Sequence, residues 1–271
     1  MFEKKSICVI GIGTIGSLIV EYLRKKRCQV IRVFCNDEDS LFKAKEKWGN
    51  DNMRYLLGDI RDYRRVLQAL RDIDYVFNAA AIKHVPIAEE NPMDAVKTNI
   101  IGLDNVIEAC IVNGVKKLLH ISTDKAVEPT TLMGATKLVG EKVLLSRWEQ
   151  NIQVNMNIVR LGNILESRGS FMKIFEECKA KGKPVPITDK RMERFFMTQD
   201  ELITFIMKVF KVMNGGSIFI PKMETFKLMD LVGDYPIKEI GIRKGEKLTE
   251  KLLSEYEEGI AEDKGDYSVI I

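Results

Sequence analysis

Apolar and polar positions follow two periods along this chain, one typical of buried strands and one typical of amphipathic helices. Short apolar runs rich in β-branched residues recur between turn residues, which predicts buried strands. The predicted strands are 7–12, 29–34, 74–77, 115–121 and 157–161, and one more ends directly before Gly58. Helical spacing predicts helices through 18–23, over 63–70 and over 92–113. This alternation predicts an α/β fold with a doubly wound parallel sheet.

The second half of the chain has shorter and less regular elements. We predict one domain over 1–162 that contains this sheet and a smaller lobe over 163–271, partly interleaved with the first. In this lobe we expect a helix that begins at 167–170, a proline-stiffened loop at 183–189, a helix over 247–256 and a short strand over 265–271.

Composition narrows the functional classes. Hydrophobic residues make up 45% and charged residues 30% of the 271 residues, and the net charge of +3 does not favour nucleic-acid binding. The five cysteines are scattered without a CxxC pair, as is typical of free thiols in a reducing compartment. Two histidines do not favour a metal site, and no apolar run approaches a membrane span. We expect a cytoplasmic protein without a signal peptide.

A glycine-rich turn, Gly11-Ile-Gly13-Thr-Ile-Gly16, joins the first predicted strand to the first predicted helix. In a dinucleotide fingerprint, one glycine makes the turn, one lets the pyrophosphate approach, and one packs the helix on the strand. We therefore predict that residues 1–162 form a Rossmann domain with a tightly bound, recycled NADP or NAD, held by these glycines together with Thr14 and Ile15, and that the lobe over 163–271 binds the substrate.

The end of the second predicted strand should choose between the two cofactors, because a carboxylate there binds the ribose 2′-hydroxyl and an arginine accepts a 2′-phosphate. Asp37 could serve NAD, whereas Asn36 and Ser40 could bond a phosphate. The choice between NAD and NADP therefore stays open.

Two further strand ends carry candidate cofactor contacts. Asp59, with Ile60, is a candidate for the adenine amino group, although Asp59 could instead cap the helix over 63–70. The small residues Ala79, Ala80 and Ala81 would let a cofactor lie against the backbone, with helix packing as the alternative.

The loop that follows these alanines and the helix after it carry three more candidates. Lys83 and His84 begin a loop above the sheet, and we assign them to the substrate, although a lone histidine such as His84 is more often packed than catalytic. Asn99, on the helix over 92–113, is assigned to the cofactor.

The richest stretch is 122–137, which follows a predicted core strand. It presents Thr123, Asp124 and Lys125 where open α/β sheets bind ligands. Met133 and Lys137 are four residues apart and share a helix face.

Together these motifs resemble the extended short-chain dehydrogenases, in which that helix face normally carries Tyr and Lys. More narrowly, the chain resembles the inverting UDP-N-acetylglucosamine 4,6-dehydratases of capsule and flagellin-glycan biosynthesis. The resemblance covers nearly the whole chain and includes Ser-Thr-Asp-Lys followed by Met-Gly-Ala-Thr-Lys. Lys125, where retaining sugar dehydratases usually have Glu, points to the inverting branch. The other matching segments are 11–16, 79–86, 160–163, 194–198 and 243–247.

The resemblance also implies a nucleotide-sugar site in the second half and a homo-oligomer. A guanidinium forks onto phosphate oxygens, and a glutamate accepts both hydroxyls of a ribose. The implied substrate-binding residues are Asn163, Ser170, Thr188, Arg194, Met197, Arg243 and Glu246.

The chemistry of a 4,6-dehydratase explains the reactive pair. Moving a hydride from C4 to the nicotinamide makes C4 a ketone and acidifies the C5 proton. A base then removes that proton while an acid protonates the departing 6-hydroxyl. Lys125 would be the base if burial beside Lys137 and the positive cofactor ring keeps its amine neutral. Asp124 would be the acid, kept protonated by an apolar site, and the hydride finally returns to C6.

Met133 departs from the family pattern, because a thioether cannot accept the proton of the 4-hydroxyl. Thr123, Asp124 or a water held by Lys137 could be the base instead. Alternatively, the hydride returns to C4 and leaves a 5,6-ene product, or the chain is a degenerate binder. In each catalytic reading Lys137 holds the nicotinamide ribose.

Two rival functions remain. A 4-epimerase or 4-ketoreductase of the same fold would need a base at C4 but not Lys125, so Met133 counts against it. A non-catalytic binder of NAD(P) or a nucleotide sugar would bind without turnover.

Overall fold

Strands and helices alternate along the first 161 residues, as predicted. The computed structural model describes residues 1–165, 167 and 171–271. The strands are β1 (Ser6–Ile10), β2 (Val30–Cys35), β3 (Met53–Leu57), β4 (Tyr75–Asn78), β5 (Lys117–Thr123), β6 (Asn155–Leu161), β7 (Asn163–Ile164), β8 (Val185–Ile187), β9 (Glu193–Met197), β10 (Ser217–Pro221), β11 (Glu224–Lys227), β12 (Ile237–Glu239), β13 (Glu262–Asp263) and β14 (Tyr267–Ile270). The helices are α1 (Thr14–Arg24), α2 (Glu38–Trp48), α3 (Tyr63–Ala69), α4 (Val85–Glu90), α5 (Pro92–Val96), α6 (Gly102–Val112), α7 (Leu132–Gln150), α8 (Phe171–Ala180), α9 (Gln199–Val212), α10 (Leu228–Val232) and α11 (Glu255–Ile260).

The main sheet has the order β13-β14-β10-β6-β5-β4-β1-β2-β3 within the described residues. From β10 to β3 all neighbours are parallel, and β14 and β13 extend the edge antiparallel. The predicted doubly wound parallel sheet is confirmed. The strand order reverses direction between β1 and β4, which is where such sheets bind ligands at the carboxyl ends of their strands.

Each face of the sheet is covered by helices because its strands are apolar on both sides. One face packs against α1, α2 and α9, through residues such as Ile19, Trp48 and Phe210. The other face packs against α3, α6 and α7, through residues such as Val66 and Leu144. Burial on both sides is the pattern expected of parallel strands.

The second half of the chain contributes to the main sheet and also builds small sheets of its own. β10, β14 and β13 belong to the main sheet, whereas β7, β9 and β11 form one small sheet and β8 and β12 another. The division at residue 162 stays a prediction. Within the described part of the chain, no helix is both long enough and apolar enough to cross a membrane.

Two predicted helices differ from the structure. The helix over 92–113 is formed, but one turn at Lys97–Ile101 is π-helical. The prediction of a helix over 247–256 was wrong, because only Glu255–Ile260 is helical there. The carbonyls of Lys247 and Leu248 accept hydrogen bonds from the Arg194 guanidinium, which takes them out of any helical ladder.

Candidate active site

The end of β5 brings Thr123, Asp124 and Lys125 together around one carboxylate oxygen. The Thr123 hydroxyl donates to Oδ1 of Asp124 at 2.8 Å, and Nζ of Lys125 donates to the same atom at 2.9 Å. Asp124 has no exposed surface, whereas its two neighbours are half-buried. Its second oxygen, Oδ2, meets no hydrogen-bond donor among the described residues.

A second carboxylate, that of Glu250, faces Lys125 from the C-terminal part of the chain. Its Oε1 lies 3.7 Å from Nζ of Lys125, and its Oε2 lies 3.7 Å from Nζ of Lys247. Glu250 is 6% exposed. That Lys125 acts as a neutral base stays a prediction. Sequence reasoning missed Glu250 because a helix was expected over 247–256. The only signal in the sequence is that Glu250 stands between Lys247 and Lys251.

A buried ion cluster fixes this C-terminal segment to the sheet. The guanidinium of Arg160, on β6, bonds the carboxylates of Glu141 on α7 and Glu257 on α11, and also the carbonyl of Leu252. Burial alone would lower the pKa of Arg160, but the two carboxylates outweigh burial and hold this pKa above its ordinary value. Arg160 therefore holds the segment that carries Glu250 against the core.

Met133 and Lys137 leave α7 on the same face, as predicted, but they point into different surroundings. Met133 is 2% exposed and packs with Ala88 and Ala95, so no proton acceptor stands in the usual tyrosine place. Nζ of Lys137 donates to the carbonyl of Ile121 at 2.7 Å and lies 3.1 Å from Nε2 of His120. Burial lowers the pKa of Lys137 to about 8.

The glycine turn forms a cradle that fits a dinucleotide. A Cβ on Gly16 would lie 1.9 Å from the carbonyl oxygen of Gly11, and one on Gly11 would lie 2.8 Å from the backbone of Ala80. A Cβ on Gly13, by contrast, would meet no described atom within 4 Å. Gly13 also caps α1 without a side-chain hydrogen bond, so the first helical N–H groups can meet an anion. This open helix start, where Thr14 and Ile15 lie, fits the pyrophosphate of NAD(P).

Polar residues gather at the ends of β2 and β3, where the adenosine would lie. Asn36 donates to the carboxylate of Asp59, and Asp37 accepts from Ser40 at the start of α2. Burial alone would raise the pKa of Asp59, but hydrogen bonds from Arg61 outweigh it and lower this pKa. The alternative of Asp59 as a helix cap was wrong.

The cap of α3 is instead Asp62, whose carboxylate accepts from the backbone of Arg65. Ile60 buries its side chain against Gly102, which leaves only its backbone for a ligand.

The end of β4 is fastened by Asn99. Its side-chain amide bonds both the N–H and the carbonyl of Ile82 and also the Thr136 hydroxyl. Asn99 is 3% exposed, so it holds the loop after Ala79, Ala80 and Ala81 and is not itself presented to a ligand. The three alanines are half-buried beside Gly11, in keeping with a close cofactor approach.

Lys83 and His84 lie on the exposed part of this loop, and the interpretation of His84 as a packed histidine was wrong. Partial burial and the Lys83 charge lower the pKa of His84.

The predicted substrate lobe brings Arg194, Arg243 and Glu246 together, but with different exposure. Arg194 is 8% exposed and donates to backbone carbonyls, and its Nη2 lies 3.7 Å from Oε1 of Glu246. Arg243 is exposed, and its N–H donates to the Glu246 carboxylate. Of the two arginines, only Arg243 has an exposed side chain.

Four other predicted substrate residues are placed less favourably or are not described. Met197 is buried in the main core. Thr188 is 7% exposed, and its hydroxyl lies 2.9 Å from the Met192 sulfur. The half-buried Asn163 donates to the carbonyl of Phe195 at 3.2 Å. Ser170, and with it the predicted start of a helix at 167–170, lies outside the described residues, apart from Ser167.

Comparison with known proteins identifies the family. The family described as "Polysaccharide biosynthesis protein" matches residues 7–271. The chain belongs to this family. It is 42% identical over 263 residues to a Campylobacter jejuni protein named UDP-N-acetylglucosamine 4,6-dehydratase (inverting), covering 94% of this chain and 79% of that one. The resemblance drawn from the motifs is thereby confirmed. A Rickettsia bellii protein named UDP-glucose 4-epimerase is 33% identical over 282 residues, with 98% and 83% covered.

Solved structures agree with the fold of the family. The structure of Pen from Bacillus thuringiensis superposes with a TM-score of 0.96 at 37% identity, covering 99% of this chain and 88% of Pen. DesIV, a dTDP-glucose 4,6-dehydratase of Streptomyces venezuelae with NAD bound, superposes with a TM-score of 0.80 at 19% identity, with 90% and 87% covered. The likeness to DesIV shows the fold alone.

Proposed function

We propose that this protein is an NAD(P)-dependent hydro-lyase, a UDP-N-acetylglucosamine 4,6-dehydratase of surface-glycan biosynthesis. The pairing of Lys125 with the buried carboxylate of Asp124 carries the proposal, together with the glycine cradle at the start of α1. The identity of 42% to a protein named for this reaction supports the choice of sugar nucleotide.

The cofactor is held by the chain at two places. The start of α1, from Gly13 to Gly16, receives the pyrophosphate, and Lys137 holds the nicotinamide ribose at the end of β5. When bound, NAD(P) takes a hydride from C4 and gives it back to the sugar later in the cycle.

The lysine–aspartate pair supplies both groups that water loss needs. In the structure Nζ of Lys125 donates a hydrogen bond to Oδ1 of Asp124 at 2.9 Å. If this proton moves onto the carboxylate, Lys125 becomes a neutral amine that can remove the C5 proton. Asp124 then carries the proton destined for the 6-hydroxyl. The pair therefore ends this step as it began, as an ammonium and a carboxylate.

The proton of the 4-hydroxyl passes through a water held by Lys137 to the amine of Lys137, because Met133 cannot accept it. The lowered pKa of Lys137, about 8, leaves part of its amine neutral near pH 7.5 and able to accept this proton. The hydride returns to C6 or to C4, which gives the C5-inverted 4-keto-6-deoxy sugar or the 5,6-ene.

The nucleotide lies against the C-terminal segment. Arg243 contacts the diphosphate and Glu246 the uridine ribose, with Lys83 and His84 at the opposite rim. Arg194 acts through Glu246, since its own guanidinium is used by backbone carbonyls. We also place the chain in the cytoplasm as a homo-oligomer; its five free cysteines support a reducing compartment.

A 4-epimerase is the second candidate, favoured by the 33% identity to the Rickettsia bellii protein. Epimerisation leaves the mass of the sugar nucleotide unchanged and does not need Lys125. The apolar surroundings of Met133 count against it.

The test is to incubate UDP-N-acetylglucosamine, and separately UDP-glucose, with the purified protein and no added cofactor. Mass spectrometry and proton NMR then read the product. Loss of one water supports the dehydratase, with a C6 methyl doublet for the keto-deoxy sugar or two vinyl protons for the 5,6-ene. An unchanged mass with a new C4 configuration would replace it by the epimerase. Unchanged sugars on a protein that contains NAD(P) would favour a binder.

A further inference from the structure

The loop over 124–131, which presents Lys125, is fastened from outside by a distant part of the chain. Glu128 in this loop has a φ of 44°, a left-handed backbone conformation that a residue other than glycine keeps only when its surroundings enforce it. Nζ of Lys247 donates to the carbonyl oxygen of Val127, directly before Glu128, at 2.7 Å. This bond is one of the contacts that enforce the strained turn.

The segment over 243–250 touches the same loop a second time. The Thr130 hydroxyl donates to the carbonyl oxygen of Gly245 at 2.6 Å, and a Cβ on Gly245 would lie 2.6 Å from the carbonyl oxygen of Thr130. The two backbones therefore approach so closely that only glycine fits, and Gly245 also has a φ of 76°. Arg243 and Glu246, which we place at the nucleotide, stand on either side of this contact.

Lys247 also reaches the Lys125 side chain, through one carboxylate. Oε1 of Glu250 lies 3.7 Å from Nζ of Lys125, and Oε2 of Glu250 lies 3.7 Å from Nζ of Lys247. Glu250 is buried, so water screens its charge little and this charge acts on both lysines. Lys247 thus holds the backbone of the loop by a hydrogen bond and the Lys125 side chain by way of Glu250.

We propose that Lys247 is a positioning residue that makes the chemical step depend on nucleotide binding. The nucleotide, bound by Arg243 and Glu246, fixes the segment over 243–250, and Lys247 then fixes the loop that presents Lys125. This inference rests on the proposed dehydratase function. It gives the nucleotide a purpose in the reaction, because the binding energy of a part that does not react is used to place a reacting group.

The test compares Lys247→Met with Lys251→Met, a matched control in the neighbouring chain. Lys251 pairs with Glu128 of the same loop at 3.2 Å, but both side chains are about half exposed, so this pair contributes little. Lys247→Arg, which keeps a cation and a donor, is the conservative variant. For each protein we would measure turnover of UDP-N-acetylglucosamine, the Kd of UDP by calorimetry, and hydrogen exchange of the amides over 125–131.

We expect kcat of Lys247→Met to fall by about tenfold or more while KM and the Kd of UDP change less than about threefold, because Arg243 and Glu246 are untouched. Saturating UDP should slow amide exchange over 125–131 by about tenfold in the unchanged protein, but by less than about twofold in Lys247→Met. Lys251→Met should match the unchanged protein. Lys247→Arg should keep kcat within about fivefold of the unchanged value.

Three outcomes would overturn the assignment. Protection of the loop by UDP that persists in Lys247→Met would show that the coupling does not pass through this lysine. Equal losses of kcat in Lys247→Met and Lys251→Met would show that any cation of the segment has the same effect. A rise of KM with an unchanged kcat in Lys247→Met would make Lys247 a ligand of the nucleotide.

The same measurements separate this inference from the proposed function. An unchanged protein that binds UDP but does not consume UDP-N-acetylglucosamine would contradict the dehydratase alone, because hydrogen exchange still decides whether the nucleotide orders the loop. An unchanged protein that does not bind UDP would overturn both, since the segment over 243–250 would then have no nucleotide to respond to.

Discussion

Nζ of Lys137 lies 3.1 Å from Nε2 of His120, so two bases meet in the core beneath the end of β5. Burial and the Lys137 charge lower the pKa of His120 well below its ordinary value. The histidine is therefore neutral, and its Nε2 accepts a hydrogen bond from the Lys137 ammonium. The nearest carboxylate of α7, that of Glu141, is taken by Ser122 and Arg160. Lys137 therefore carries its charge in a site with little to balance it.

The burial of Lys137 predicts a pH-dependent stability. Its pKa is about 8 in the folded chain, against an ordinary lysine pKa of 10.5 that applies once the chain unfolds. Between these values the unfolded chain binds more protons, so the free energy of unfolding rises with pH. Relative to Lys137→Met, the unchanged protein should gain up to about 3 kcal/mol between roughly pH 7.5 and pH 10.5. Urea unfolding of both proteins at several pH values measures this. Parallel curves would show that the lysine is not deprotonated on folding.

The glycine cradle predicts opposite results for two alanine variants. Gly13→Ala should leave the melting temperature nearly unchanged, because its Cβ meets no described atom, but should weaken NAD(P)+ binding by about tenfold or more by obstructing the pyrophosphate. Gly16→Ala should unfold at a lower temperature, because its Cβ would lie 1.9 Å from the Gly11 oxygen. Differential scanning fluorimetry and calorimetric titration separate the two. An unchanged affinity of Gly13→Ala for NAD(P)+ would contradict binding of the pyrophosphate at Gly13.

The Arg160 cluster predicts a large loss of stability from one substitution. Arg160→Met leaves the carboxylates of Glu141 and Glu257 without their partner, and the first is fully buried. Breaking such a pair typically costs about 3 to 5 kcal/mol. Lys222→Met, which removes an exposed pair with Asp263, is the control and should change the free energy of unfolding by less than about 1 kcal/mol. If urea unfolding shows the same loss of unfolding free energy for both variants, the predicted difference between the buried and the exposed pair is contradicted.

Glu250 should affect turnover more than substrate binding. Glu250→Gln removes a negative charge 3.7 Å from Nζ of Lys125. Without this charge the Lys125 side chain is free to leave its reacting position. We therefore expect kcat to fall by about tenfold with little change in KM. Glu255→Gln, on the exposed first turn of α11, is the control and should behave as the unchanged protein. A change confined to KM would instead make Glu250 a substrate ligand.

The sequence predicted what depends on local spacing. Met133 and Lys137 share a helix face because they are four residues apart, and Asp124 and Lys125 meet because both follow the same strand. Glu250 could not be found in this way, since it reaches Lys125 from a distant part of the chain. Its position depends on Arg194 and Arg160, whose bonds to distant carbonyls and carboxylates replace the expected helix.

The surroundings of Met133 restrict which side chains could replace this methionine, including the tyrosine that is usual in the family. The methionine lies among Ala88, Ala95 and the side chain of Ile82, all apolar. A tyrosine placed there alone would bring a larger ring and a hydroxyl into a space shaped for a thioether. A single codon change would therefore not restore the usual base. The loop and helices over 82–95 would have to change with it to make room for the ring and to solvate its hydroxyl.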